Sequence, residues 1–210
     1  MRDYYDARLA EYDKVYLKPE RQVDLMDIRS QVQRRVNGHA VLELACGTGY
    51  WTAVASSSAK SIFATDISER ALSVAKRRQY FCPIEFAVAD ALQPDAVPRR
   101  DLTMAMFWWS HVQRQDIAGF LLSLAAATNT DGWVLFLDNR YVTGSSTPIS
   151  RRDEWGNTYQ TRKLEDGSSH EVIKNFPNRD DLSSALALVS DTVDFVETTY
   201  YWIAQARLRL

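Results

Sequence analysis

The chain has 210 residues, 46% of them apolar and 25% charged, which suffices for one well-buried core and falls short of two full domains. Its formal net charge of −2 gives no global attraction to nucleic acid or to an anionic membrane. The longest apolar run, "IAGFLLSLAAA", is well short of the ~20 residues that span a bilayer.

The opening stretch "MRDYYDARLAEYDK" is charged throughout, so no export signal is expected in it. Tyr5, Leu9, Tyr12 and Tyr16 recur at helical spacing and predict one amphipathic helix over 3–16. Leu25, Ile28, Val32 and Val36 repeat that spacing in a second helix, which Asn37-Gly38 can end. An alternation follows. "AVLEL" reads as a strand, 49–58 as a helix, "SIFAT" as a strand, and 68–78 as a helix opened by Ser68. "IEFAV" and "LTMAMF" are further strands, 114–127 is a helix, and "WVLFL" is a fifth strand. Short apolar strands alternating with helices predict a parallel sheet covered on both faces. After Asp138, "GSSTPIS" reads as a loop, and "NTYQTRKL" and "SHEVIKNF" as a hairpin turning at Asp166-Gly167. Asn178 can cap a helix over 179–189, and "TVDFVET" with "YYWIAQARL" form two antiparallel closing strands.

The sharpest local feature is "VLELACGTGYWT", residues 41–52, a strand that runs into a glycine-punctuated turn. Gly47 and Gly49 can take backbone angles closed to other residues, and in a doubly wound sheet such a turn sits where ligands bind. A dinucleotide fingerprint wants three glycines, whereas Ala45, Gly47 and Gly49 are followed by the large Tyr50. There is no Gly-Lys-Ser/Thr of an ATP-type loop. Glu43 at the strand end would repel a pyrophosphate and suits a ligand carrying an ammonium or sulfonium. Asp66 ends the second strand, placed to accept ribose hydroxyls, and Asp90 ends the third, where it could accept from an adenine amino group. Taken singly, the glycines could be only geometric and each acid only a helix cap.

In order and spacing, "VLELACGTG", "ATDISERALSVAKRR", "FAVADAL" and "DGWVLFLDNR" resemble the successive motifs of class I S-adenosylmethionine-dependent methyltransferases. The resemblance runs from about residue 38 to the C-terminus. It implies an α/β, doubly wound, mostly parallel seven-stranded sheet with an antiparallel C-terminal strand and a β-hairpin insertion after the fifth strand. One domain is expected over 1–210, with residues 1–36 as N-terminal helices forming a lid and 139–177 as a substrate-side insertion. The implied cofactor is S-adenosyl-L-methionine and the product S-adenosyl-L-homocysteine. Carried over, Glu43, Ala45, Gly47 and Gly49 would line the methionine moiety, and Asp66 would hold the ribose. Ile67, Asp90 and Ala91 would meet the adenine, and Phe107 would lie beside the sulfonium. Ala45 departs from the pattern, since many relatives have glycine there.

The acceptor is less legible. "FWWSHV" follows the fourth strand and lacks the Asn/Asp-Pro-Pro-aromatic of enzymes that methylate exocyclic amines of adenine, and the Pro-Cys of cytosine-C5 enzymes. His111 is the candidate general base, because its unperturbed pKa lies near neutrality. Trp109 could wall the acceptor, Arg140 could anchor a carboxylate or phosphate, and Tyr141 would add an apolar wall. Tyr5 and Tyr12 on the N-terminal lid would offer hydroxyls near the methionine carboxylate. His170 and Lys174 on the hairpin read as surface residues. Residues 150–175 hold five basic and five acidic side chains, a poor basis for a nucleic-acid groove.

The function expected is methyl transfer to oxygen or nitrogen of a small aromatic or anionic metabolite. The alternatives are methylation of RNA or protein and a non-catalytic cofactor-binding module. A cytoplasmic monomer or homodimer is expected, with a small-molecule acceptor, no nucleic acid or membrane partner, and no metal. Cys46 and Cys82 are too few for a disulfide framework or a cysteine zinc site.

Overall fold

The first strand, Ala40–Leu44 (β1), is buried on both faces, as a continuous apolar run in a parallel sheet must be. The computed structural model describes residues 2–94 and 97–209, with side chains from Tyr4 onward. β1 pairs in parallel with Ser61–Asp66 (β2) on one side and Arg100–Met106 (β4) on the other. Beyond β2 lies Ile84–Val88 (β3), and beyond β4 lies Thr128–Asn139 (β5). The last two strands, Val193–Glu197 (β9) and Tyr201–Arg207 (β10), pair with each other in antiparallel fashion, and β10 closes on β5. The order β3-β2-β1-β4-β5-β10-β9 is the seven-stranded, doubly wound sheet that the motifs implied. Chain order reverses between β1 and β4, so ligands are expected at the carboxyl ends of these strands.

Alternate strand residues feed two cores, as the two-residue strand period requires. Leu135 and Leu137 of β5 and Ile203 of β10 face the helix Gln22–Val36 (α2), whose Leu25, Ile28, Val32 and Val36 are fully buried. Tyr50–Ser56 (α3) and Glu69–Ala75 (α4) cover that same face. Val134 and Phe136, with Trp202 of β10, face Ile117–Ala126 (α5) and Arg179–Leu186 (α6). Ser68 caps α4 by accepting from Ala71 N–H, and Asn178 caps α6 in a reciprocal capping box with Asp181.

The insertion is a small separate sheet of Arg151–Arg152 (β6), Thr158–Lys163 (β7) and Ser169–Ile173 (β8). Its main hairpin turns at Gly167, where φ is +86°. The N-terminus departs from the single helix expected over 3–16. Arg2–Arg8 (α1) is helical, and after a turn the chain continues as a 3₁₀ segment, Tyr12–Leu17. Tertiary contacts override the periodicity. Tyr4 packs against Leu164 and Val172 of the hairpin, while Asp13 turns back to accept from Thr48 Oγ1 at 2.7 Å and to pair with Arg78. Helices read as 68–78 and 179–189 end a few residues early, at Ala75 and Leu186, which is where helix ends fray.

Candidate active site

Three consecutive strands end in acids, and the fold brings those ends together. Asp66, at the end of β2, accepts Gly47 N–H at 2.9 Å and Ser68 N–H at 2.8 Å, one on each carboxylate oxygen. It thereby ties the glycine turn to the next strand. Asp90, after β3, accepts Leu92 N–H at 2.9 Å. Gly47 holds φ +57°, and a Cβ built there meets nothing within 4 Å, so its backbone faces open space. Gly49 differs. With φ +76°, a Cβ there would lie 2.5 Å from the Tyr80 hydroxyl and 2.9 Å from Ala75 Cβ, so its glycine lets α4 approach the turn.

A cleft of about 270 Å³ opens above these ends. Of the residues expected to hold cofactor, Tyr5, Tyr12, Ala45, Gly47, Asp66, Ile67, Asp90, Ala91 and Phe107 line it. Ile67 is 44% exposed there, an apolar surface that a planar base would cover. Glu43 and Gly49 lie outside it. Glu43 is 1% exposed beneath the turn, and its Oε2 has no hydrogen-bond partner among the described residues. Burial, with Asp66 nearby adding to it and Thr52 opposing, pushes its carboxyl up to about 8. Ala45 and Phe107 both adopt left-handed backbone, φ +54° and +57°. For a residue as bulky as phenylalanine that is strained, a feature concentrated at functional sites.

A second cavity, of about 320 Å³, adjoins the first, and Tyr5, Tyr12, Phe107 and His111 line both. His111 stands at this junction. A backbone carbonyl can only accept, so the 2.8 Å contact to Ile173 O places the imidazole proton on Nδ1. Nε2 is then the acceptor, and the Tyr5 hydroxyl donates to it at 2.8 Å. Burial, helped by the charges of Lys174 and Arg162, holds the His111 pKa well below the ordinary histidine range, Asp138 opposing. The result is a neutral imidazole with one lone pair turned to the junction.

The second cavity is cationic. Among the described residues, Arg8, Lys18, Arg21, Arg162, Lys163 and Lys174 line it, against a single acid, Glu11. They come from three parts of the chain: the N-terminal segment, β7 and the residue after β8. Lys174 is the clearest departure from the sequence reading. It is not a surface residue but 4% exposed, donating to Asp138 Oδ1 at 2.8 Å. Arg162, Arg8 and Asp138 were not singled out either. Asp138 carries a usable signal, since it ends β5 as Glu43 and Asp66 end earlier strands. Nothing in the sequence separates Lys174 or Arg162 from a solvated lysine or arginine.

Three residues expected around the acceptor line neither cavity. Trp109 is 3% exposed and packs in the core, its ring 4.8 Å from Phe136 and 6.0 Å from Trp202. Its neighbour Trp108 lines the cofactor cleft instead, with a buried indole Nε1 lacking a partner among the described residues. Arg140 donates to Thr198 O and pairs with Glu197 at 3.4 Å, alongside the strand that its neighbours join. Tyr141 is 40% exposed and stands 5.3 Å from Phe176, backing a cavity residue rather than reaching the cavity.

Comparison with known proteins bears on this geometry. Residues 41–132 match the family model of a methyltransferase domain. Across 99% of this chain and 94% of the other, the structure is similar to the DhpI complex with SAH, at 27% identity and a TM-score of 0.77. The DhpI–SAM–HEP complex is similar over 97% and 94%, also at 27% identity, with a TM-score of 0.72. The amino pentose methyltransferase CalS10 of Micromonospora echinaspora shares the fold at 13% identity and a TM-score of 0.61, over 87% of this chain and 90% of its own. No curated protein matches the chain significantly.

Proposed function

We propose that this chain, a class I S-adenosylmethionine-dependent methyltransferase, methylates an oxygen of a small acceptor that also carries an oxyanionic group. The observation that carries the reading is the pair of adjoining cavities. One is lined by strand-end acids and glycine backbone, the other by six cations and one acid, and they meet at Tyr5, Tyr12, Phe107 and His111. An ammonium acceptor would be repelled from the second cavity, whereas an anion would be drawn in. That the DhpI structure was obtained with SAM and a second molecule, HEP, supports a two-part site of this kind.

The cleft residues fit the cofactor. Asp66 would hold the ribose hydroxyls, Ile67 and Ala91 would flank the adenine with Asp90 at its amino edge, and Gly47 would leave room for the methionine part. When bound, the cofactor supplies a methyl group on a sulfonium, already activated for in-line displacement. What this chain adds is position and the handling of one proton. The Tyr5 O–H···Nε2 contact shows how a hydroxyl donor meets His111. An acceptor hydroxyl in that place would give its proton to Nε2 of His111, leaving its oxygen free to take the methyl group from the sulfonium, with S-adenosylhomocysteine as the leaving group. The neutral, single-tautomer state of His111 keeps it competent for this at neutral pH.

The test is release of S-adenosylhomocysteine from labelled cofactor, with cofactor binding confirmed first. The panel holds hydroxy acids, phenols, simple carboxylic acids, amines and HEP, with bulk RNA and protein lysate beside them. Turnover is expected with anionic hydroxylated acceptors. Turnover only with RNA or lysate, or only with cationic amines, would sink the reading.

A further inference from the structure

Lys174 and Arg162 line the same cavity, and of the two, among the described residues, Lys174 alone has a carboxylate partner. The ammonium of Lys174 donates to Asp138 Oδ1 at 2.8 Å and to Ser110 Oγ at 2.5 Å, which uses two of its three protons. Asp138 is fully buried and already engaged, for its Oδ2 accepts the Ser110 N–H at 3.0 Å and the Ser110 O–H at 2.7 Å. Arg162 enters the same cavity from β7. Its guanidinium donates to Gln160 Oε1 at 2.8 Å and lies beside Tyr4 and Tyr5, and among the described residues it is ion-paired with no carboxylate. Arg162 lies close enough to Lys174 to help burial pull the ammonium pKa below the ordinary lysine range, while Asp138 opposes.

Each cation alone has an ordinary reading, a structural ion pair for Lys174 and a surface-reaching arginine for Arg162. Together they leave positive charge in excess in a partly desolvated space, which is costly unless something balances it. A neutral guest would not balance the excess, and a cationic one would add to it. The remaining Lys174 proton and the guanidinium N–H groups not taken by Gln160 or Tyr4 suit the divergent lone pairs of a carboxylate or a phosphate.

We infer that Lys174 and Arg162 form a seat for one oxyanionic group, set beside His111, and that Asp138 and Ser110 fix the ammonium in place for it. That the occupant is the methyl acceptor rests on the reading above. The seat itself does not need turnover to be detected.

Isothermal titration of inorganic phosphate, and separately of acetate, into protein saturated with S-adenosylhomocysteine tests it. The wild type is expected to bind at least one of the two, and the responsive arm distinguishes a phosphate-type group from a carboxylate. Arg162→Met should weaken that binding about 10-fold or more, the loss of a charge-assisted hydrogen bond in such a site. Lys174→Met alone would strand the buried Asp138 charge, so the double variant K174M/D138N is the cleaner second probe; it should weaken anion binding similarly. Affinity for S-adenosylhomocysteine should stay within about twofold in both. Anion binding that is unchanged in either variant, or absent from the wild type in both arms, overturns the seat. Failure of every acceptor in the turnover panel would instead strike the methyl-transfer reading and leave this titration intact.

Discussion

The two halves of the site are built on opposite principles. The floor of the first cleft comes from residues 45–92, taken in chain order from the ends of three neighbouring parallel strands, and the N-terminal segment and residues 106–111 close it. Asp66 and Asp90 sit where a strand stops and the backbone turns, so for them position in the fold and position in the sequence coincide. The cationic cavity draws on α1, the 3₁₀ segment after it, the turn after β4 and a hairpin more than a hundred residues downstream of α1. Its chemistry exists only once these segments have met. One half is therefore acidic and local, the other cationic and assembled, and His111 stands at their boundary. A site of this kind can keep its cofactor while its acceptor changes, because the two sets overlap at only four residues.

The boundary residue should show the largest effect. His111→Asn keeps a polar side chain near Ile173 O but removes the basic lone pair, and kcat/KM should fall about 10²–10⁴-fold, the usual weight of general-base help. Affinity for S-adenosylhomocysteine should move little. With the pKa of His111 held below its ordinary value, wild-type kcat/KM should stay flat from neutrality down through pH 6.5 and fall only below it. An acid limb centred above 6.5 would show that His111 is not the titrating base.

Asp66→Ala should break the cleft and spare the cavity. It removes the acceptor of Gly47 N–H and of Ser68 N–H together with the carboxylate proposed to hold the ribose. Calorimetry should show S-adenosylhomocysteine bound about 100-fold more weakly, equivalent to two hydrogen bonds at ~1.4 kcal/mol each. Unchanged affinity would remove Asp66 from the cofactor site.

The two glycines of the turn sharpen the contrast further. Gly49→Ala places a methyl group on Ala75 and the Tyr80 hydroxyl in a left-handed backbone, so denaturant unfolding should report a loss of about 2–4 kcal/mol. Gly47→Ala meets no neighbour, so it should cost only about 1–2 kcal/mol of backbone strain while lowering cofactor affinity. Equal losses of stability would mean that Gly49 is not the packing position.

These contrasts mark what the sequence could reveal. The sheet was legible because apolar strands buried on both faces leave continuous runs, and the cleft because strand-end acids fall at fixed intervals. Within "FWWSHV" nothing distinguishes Trp108 from Trp109. Only the fold turns one into the core against Phe136 and the other into the cleft. The insertion looked electrically neutral by count, yet the fold sorts its charges. Arg151 pairs with Glu171 on the outside, while Arg162, Lys163 and Lys174 face the cavity. An average over sequence cannot carry such a division. The N-terminal periodicity was real, but Asp13 bent the segment away from one straight helix by reaching Thr48 and Arg78.

The last contrast concerns the acid of the cofactor half that the cleft does not expose. Glu43 has a folded-state carboxyl raised to about 8 against an ordinary value of 4.5. Between those values the folded state keeps a proton that the unfolded state has released, so the Glu43 contribution to stability declines as pH rises from 4.5 towards 8. Above 8 both states are ionised and the decline stops. Glu43→Gln removes the titration and keeps the shape, so thermal midpoints of variant and wild type should draw apart in the variant's favour across this window. Parallel pH profiles would mean that Glu43 is ionised in the folded protein. A carboxylate beneath the glycine turn would then belong to the electrostatics of the cleft as Asp66 and Asp90 do, and the boundary between the two halves would have to be drawn on charge rather than on exposure.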